Sequence, residues 1–169
     1  MHIEEALRTA IEYEQRVRDV YVHALEDAGT DMARKVYGVM AREEEDHVRY
    51  LESRLEEWIK TETLELVDLD TALPSIDKIR AAVGDLEKKA DAKGTEAELK
   101  VMEKALEVEK ETSAFYQKLV AELPAEARKF FERFLEIEQG HVALVQAEID
   151  ALRGDGFWFD MPEFDLEMG

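Results

Sequence analysis

Cysteine is absent from the 169 residues, which excludes disulfides, thiolate zinc sites and iron–sulfur clusters within the chain. With no disulfide framework, nothing points to an oxidising compartment. Proline occurs only three times, too seldom to interrupt long helices. Basic residues are scarce: 22 Lys and Arg stand against 41 Asp and Glu, for a net charge of −19. Nucleic acid and anionic membrane both repel such a chain, so neither is expected as a partner. No apolar run approaches the ~20 residues of a membrane span. The opening stretch, MHIEEALRTAIEYEQ, lacks the basic region followed by an apolar region that makes a signal peptide. The expectation is a soluble, cytoplasmic, single-domain protein. Hydrophobic residues at 46% and charged residues at 37% suit a helical fold with a real core and argue against disorder.

What is present is helical periodicity, four times over. Residues 3–28 place Ile3, Leu7, Ala10, Ile11, Val17, Tyr21 and Ala24 at spacings of three and four, and Gly29 is a stop. Residues 30–60 follow, capped by Thr30 or Asp31, with Val36, Met40, Val48, Leu51, Leu55 and Trp58 inward. Residues 96–123 carry Met102, Ala105, Leu106, Tyr116, Leu119 and Val120. Pro124 or Ala125 opens a fourth segment to about residue 153, stopped by Gly154 and Gly156. Between the pairs, residues 61–95 lose the period, apart from a short helix expected at 76–91 and weakened by Gly84. Gly94 ends it, and Thr95 with Glu98 three residues on reads as a capping box. In the tail, residues 154–169, Phe157, Trp158, Phe159 and Phe164 are too apolar to hang free. They are expected to fold back on the bundle or to pack on a second subunit. Short loops make antiparallel neighbours and a long connection permits a crossover, so the expected fold is all-α: a four-helix bundle with one long crossover.

Each helix breaks its own apolar stripe. In FLEIEQGHVALV, residues 134–145, Glu138 and His141 stand where core residues belong. In AREEEDHVRY, Glu44 and His47 lie in register with Met40 and Leu51. Glu14 falls between Ile11 and Val17, and Glu109 follows Leu106, each with a tyrosine seven residues later, Tyr21 and Tyr116. The interruptions repeat. Glu14 and Glu109 differ by 95, as do Tyr21 and Tyr116; Glu44 and Glu138 differ by 94, as do His47 and His141. The chain is therefore a duplicated helical hairpin, 3–60 and 96–153, and polar residues on core faces are what the copies share. Duplicated packing alone would repeat leucines.

Buried unpaired carboxylates are costly and four together repel, so such a cluster persists by binding protons or by holding cations. Positions i and i+3 share a helix face, close enough to share a ligand. Four Glu and two His offer hard oxygens and imidazole nitrogens, a set suited to iron or manganese. One Glu from each of two helices, with Glu-x-x-His from each of the other two, is the pattern of ferritin-like di-metal bundles. Tyr21 and Tyr116 read as core aromatics whose hydroxyls find a ligand carboxylate on a neighbouring helix. Gly140, beside His141, allows close helix approach or room at the metal, or is a tolerated surface glycine. His2 and His23 read as terminal or surface residues. Glu43, Glu45 and Asp46 read as solvated, and which of them, if any, supports a ligand is open.

Through Glu14-x6-Tyr21, Glu44-x-x-His47, Glu109-x6-Tyr116 and Glu138-x-x-His141 the chain resembles the rubrerythrin branch of the ferritin-like superfamily, over about residues 5–60 and 98–153. The resemblance implies a ferritin-like bundle holding two iron ions, with manganese or a mixed pair also compatible. Glu44 and Glu138 would bridge the metals. Glu14, Glu109, His47 and His141 would each bind one. It further implies reaction with peroxide or dioxygen, a role in oxidative stress, and a homodimer or larger homo-oligomer. Two departures matter. Peroxide-reducing relatives often carry a cysteine-ligated rubredoxin domain, absent here, so an external electron-donor protein is implied. They also place a further Glu three residues after the third-helix ligand, where this chain has Thr112. Three functions therefore compete: a diiron peroxide reductase, a ferroxidase that oxidises Fe(II) with dioxygen, and a non-catalytic helical scaffold.

Overall fold

The periodic segments form helices wherever the chain is described. The computed structural model describes residues 2–29, 31–66, 68–71 and 96–153. Its helices are α1 (Ile3–Glu26), α2 (Asp31–Thr61), α3 (Glu96–Glu122) and α4 (Ala125–Leu152). At the start of α1, Glu5 accepts a hydrogen bond of 3.4 Å from the backbone N–H of His2, satisfying one orphan donor of the first turn. α2 stops at Glu62, whose φ of 54° is left-handed and whose N–H returns to the Trp58 carbonyl at 2.8 Å. The carbonyl of Pro124 accepts the first bond of α4, from the Arg128 N–H at 2.8 Å.

Topology follows from which residues meet. α1 packs on α2, α3 on α4, and the two hairpins meet through α1 and α3. Tyr13 stacks on Phe115 at 4.5 Å, Tyr21 reaches Glu109, and Tyr116 reaches Glu14, so α1 and α3 run antiparallel. Across the other seam, His47 stacks on His141 and Tyr50 on Phe130, so α2 and α4 are antiparallel too. Because α1 opposes both α2 and α3, those two are parallel. α2 therefore ends and α3 begins at opposite ends of the bundle, as the expected crossover requires. Its described part is tied down: Leu69 is buried, and its carbonyl accepts two bonds from the Arg133 guanidinium at 3.1 and 3.2 Å.

Burial follows the expected stripes with local exceptions. Ile3, Trp58, Leu106 and Val120 are only partly covered, and Val108, Thr112 and Phe115 take the inward places of α3. The apolar core falls into two clusters with a polar layer between them. The short helix at 76–91 with Gly84, the stops Gly94, Gly154 and Gly156, the caps at Thr30 and Thr95, and the aromatic tail lie outside the described residues. Among the described residues, no helix is long and apolar enough to cross a membrane.

Candidate metal centre

Helical phase puts the polar layer together. Glu14, Glu44, Glu109, Glu138 and His141 are fully buried, and His47 is 1% exposed. Each helix supplies its share from mid-length, one carboxylate from α1 and α3, a carboxylate and an imidazole one turn apart from α2 and α4.

The geometry has an approximate two-fold. His47 Nδ1 lies 3.2 Å from Glu14, 3.3 Å from Glu44 and 3.7 Å from Glu138. His141 Nδ1 lies 2.8 Å from Glu44, 3.6 Å from Glu109 and 3.6 Å from Glu138. Glu44 and Glu138 thus face both imidazoles, whereas Glu14 belongs to His47 and Glu109 to His141. The two rings are parallel within 6°, with centroids 5.5 Å apart. The tyrosines cross over: Tyr21 of α1 donates to Glu109 of α3 at 2.6 Å, and Tyr116 of α3 donates to Glu14 of α1. Each hydroxyl therefore orients a carboxylate of the other hairpin.

Charge in this layer is poorly compensated by the protein alone. Both oxygens of Glu44, both of Glu138, one of Glu109 and both nitrogens of His141 have no aligned hydrogen bond although all are buried. Such orphans are expensive unless something binds them. Burial raises the Glu44 carboxyl to about 7 despite the two imidazoles that pull it back. Burial, with the charges of the other three glutamates, drives Glu138 well above the carboxylate range. Burial would also raise Glu14, but His47 and the Tyr116 hydroxyl outweigh it and hold Glu14 low. The imidazoles move the other way. Against the effect of burial, Glu14 and Glu44 raise His47 to about 10, and Glu44, Glu138 and Glu109 raise His141 well above its ordinary value. Burial, then Glu109 and Glu14 respectively, keeps Tyr21 and Tyr116 protonated.

Without a cation, then, the layer must hold extra protons. With one, the same atoms become ligands. Glu14, Glu44, His47 and Glu138 bring ligand atoms within 4.8 Å of one another, as do Glu44, Glu109 and His141, so these buried groups could hold metal ions. Oxygen and imidazole donors without thiolate fit iron or manganese. No family model, characterised protein or solved structure matches this chain.

Some functional-looking residues escaped the sequence. Glu43, read as solvated, is buried, because it lies one turn before His47 on the same face and three and four residues after buried Met40 and Val39. The hydroxyl of Thr71 donates to it, and its carboxylate lies within 4.8 Å of a ring nitrogen of both His47 and His141. Glu45 is partly exposed and Asp46 exposed, as read. His2 and His23 are exposed too. Gly140 is buried, yet a Cβ there would meet no described atom within 4 Å, so it provides room rather than close approach. At the far end, Tyr37, Glu98 and Glu148 are also buried. Burial, then the charges of Glu98 and Glu148, pushes the Tyr37 hydroxyl up to about 12. Tyr37 lies seven residues before Glu44, and Glu148 seven after His141, so their inward phase was readable.

Proposed function

We propose that this chain is a diiron-carboxylate oxidoreductase whose reduced site turns over hydrogen peroxide with electrons from a separate donor protein. One observation carries the reading: Glu44 and Glu138 each lie within 3.7 Å of both imidazole Nδ1 atoms while their own oxygens have no hydrogen bond. That placement supports a reading in which the two carboxylates are shared between two cations. In this reading Glu44 and Glu138 would be shared by the two ions, Glu14 and His47 would help hold one, and Glu109 and His141 the other. Bound iron would supply one electron per ion, and peroxide, taking two electrons and two protons, would leave as two waters.

The rest is work for the side chains. Tyr21 and Tyr116 fix the free-swinging carboxylates Glu109 and Glu14 across the hairpin interface, and their retained protons make them donors to the departing oxygens. Val17, Met40 and Phe134, all buried beside the layer, exclude water and so strengthen every charge interaction inside it. A cytoplasmic homo-oligomer fed by an external redox partner belongs to the same proposal, and manganese or a mixed pair fits the same ligands.

Thr112 favours a second reading, oxidation of Fe(II) by dioxygen for iron handling. It is buried where peroxide-reducing relatives carry a further glutamate, and its hydroxyl turns back to the Val108 carbonyl at 3.0 Å. It therefore offers the centre no ligand. Stopped-flow absorbance of anaerobically Fe(II)-loaded protein separates the two, mixing hydrogen peroxide or dioxygen at equal concentration. Much faster oxidation by peroxide supports the first reading. Faster oxidation by dioxygen, with turnover of added iron, replaces it with the second. Failure to take up two metals per chain leaves only the scaffold.

A further inference from the structure

Both imidazoles turn Nδ1 toward the carboxylates, which leaves Nε2 pointing away from the layer. Those two Nε2 atoms are buried and have no hydrogen-bond partner. A ligating imidazole ordinarily has its other ring N–H held by a carboxylate, a carbonyl or a water, which sets both the tautomer and the ring plane. Among the described residues, one carboxylate outside the six-residue set comes close to both rings: Glu43, within 4.8 Å of a ring nitrogen of each. A gap of this size is spanned by one water or closed by a side-chain rotation.

We infer that Glu43 is a positioning residue shared by both halves of the centre, accepting hydrogen bonds from Nε2–H of His47 and of His141 and thereby presenting both Nδ1 atoms to metal. The inference rests on the di-metal reading of the six ligands and adds a seventh residue that touches no metal. Three observations support it. Glu43 is 7% exposed, and a carboxylate that far from water needs donors. The rings are parallel within 6° with centroids 5.5 Å apart, and one Glu43 oxygen lies within 4.8 Å of a nitrogen of each, so a single carboxylate can serve both. The duplicated hairpin has no second copy of the device: the position 94 residues on is Ile137, also buried. If the two imidazoles are supported alike, one acid has to do it.

Glu43 is itself fixed from outside the hairpins. The Thr71 hydroxyl donates to it, and two residues earlier Leu69 is clamped to α4 by Arg133. The crossover thus sets a group that acts on both halves of the site.

The test is calorimetric titration of the metal-free full chain with Co(II), alongside proton NMR of the Co(II)-loaded protein. Wild type should bind two Co(II) and show two strongly shifted, slowly exchanging imidazole N–H signals. Glu43→Ala should weaken both sites by about 10–100-fold and bring both N–H signals into fast exchange. Glu43→Gln, nearly isosteric and still an acceptor, should fall between, and it keeps the test alive if the alanine variant does not fold. Thr71→Val should shift both sites in the same direction by less. A Glu43→Gln or Glu43→Ala protein with wild-type affinity and unchanged N–H exchange overturns the inference, as does loss at one site only. Wild type that takes up no Co(II) defeats the di-metal reading first, and the two failures are therefore distinguishable.

Discussion

The two ends of the bundle are built from matching stretches of the two hairpins, yet they are packed with different material. Toward the α2–crossover end the core is aromatic. Phe134 lies 5.1 Å from Tyr116, 5.6 Å from Phe130 and edge-on to His47 at 5.6 Å, and Phe131 meets Phe130 edge-to-face at 4.9 Å. Toward the α1–α2 turn the core is small and aliphatic, with Ala24, Ala28, Ala33, Ala41 and Ala105 among Val36, Met40 and Met102. Glu98, Glu148 and Tyr37 are buried at that end as well. The layer between the ends repeats its glutamates, histidines and tyrosines in register, while the flanks differ. Packing can be rebuilt with other apolar residues of suitable volume. A cation's ligands cannot be exchanged so freely, because each supplies a particular atom at a particular distance.

Removing the shared carboxylates should have the largest effect. A Glu44→Ala/Glu138→Ala protein loses both carboxylates that face the two imidazoles and should bind no metal tightly, while circular dichroism still reports a helical bundle supported by its two ends. Two metals retained with wild-type affinity, measured by calorimetry, would place the site elsewhere. Loss of the fold would show that the ends do not stand without the layer.

Next in size is truncation in the aromatic end. Phe134→Ala removes a ring that packs on Tyr116, Tyr50, Phe130 and His47, and should cost about 3–5 kcal/mol in denaturant unfolding. It should also loosen metal binding, because His47 loses the ring edge that packs against it. Met40→Ala, equally buried on the aliphatic side, should cost about 2–5 kcal/mol. The difference to look for is in metal affinity: Phe134 touches an imidazole ring. Equal affinity losses would mean that the ends support the centre alike.

The fold was legible because its signal is redundant. Four amphipathic stripes each vote for a helix, and a misjudged Leu106 or Val120 does not change the outcome. The polar layer was legible for a similar reason: an acid inside an apolar stripe is conspicuous, and two copies at a fixed offset are more so. Glu43 was not, because it sits in a run of three glutamates where only one position can be told from its neighbours by phase with Met40 and Leu51. The crossover adds to its surroundings through the Thr71 hydroxyl, and a non-local contact of that kind leaves no local period. Glu98 was read only as the partner of a cap at Thr95 and Glu148 drew no notice, because both lack the repetition that marked the others.

A smaller effect separates the layer from both ends by pH. In the metal-free protein His47 is raised from 6.5 to about 10, so its contribution is complete below 6.5 and is lost as pH rises through 10. Glu44, raised from 4.5 to about 7, has the same sign: its contribution is present below 4.5 and is lost as pH rises through 7. Glu14, held low, opposes them only in acid, losing its contribution as pH falls through its depressed value. The Tm of metal-free protein should therefore fall by several degrees from about pH 6 to about pH 10. Metal, once bound, replaces the protons and should flatten this slope. A Tm that climbs with pH across that window would mean that the layer is not proton-rich when empty of metal.

The smallest expected effect comes from exchanging one atom between the ends. Tyr37 and Phe131 differ by 94 and occupy matching places in the two hairpins, both almost fully buried. The Tyr37 hydroxyl has no hydrogen-bond partner and lies within the field of Glu98 and Glu148. Tyr37→Phe copies the aromatic end and removes an unsatisfied donor, so it should stabilise the protein by about 1 kcal/mol. Phe131→Tyr places a hydroxyl among rings, and should destabilise by about 1–3 kcal/mol. Opposite signs in urea unfolding would establish that the hydroxyl at the aliphatic end is retained against stability. If Tyr37→Phe instead destabilises, the hydroxyl donates to one of those two acids in solution, and the polar character of that end is structural. Because neither position reaches the six central residues, Co(II) stoichiometry should stay at two in both variants, and a change in it would tie the ends to the centre more closely than packing alone requires.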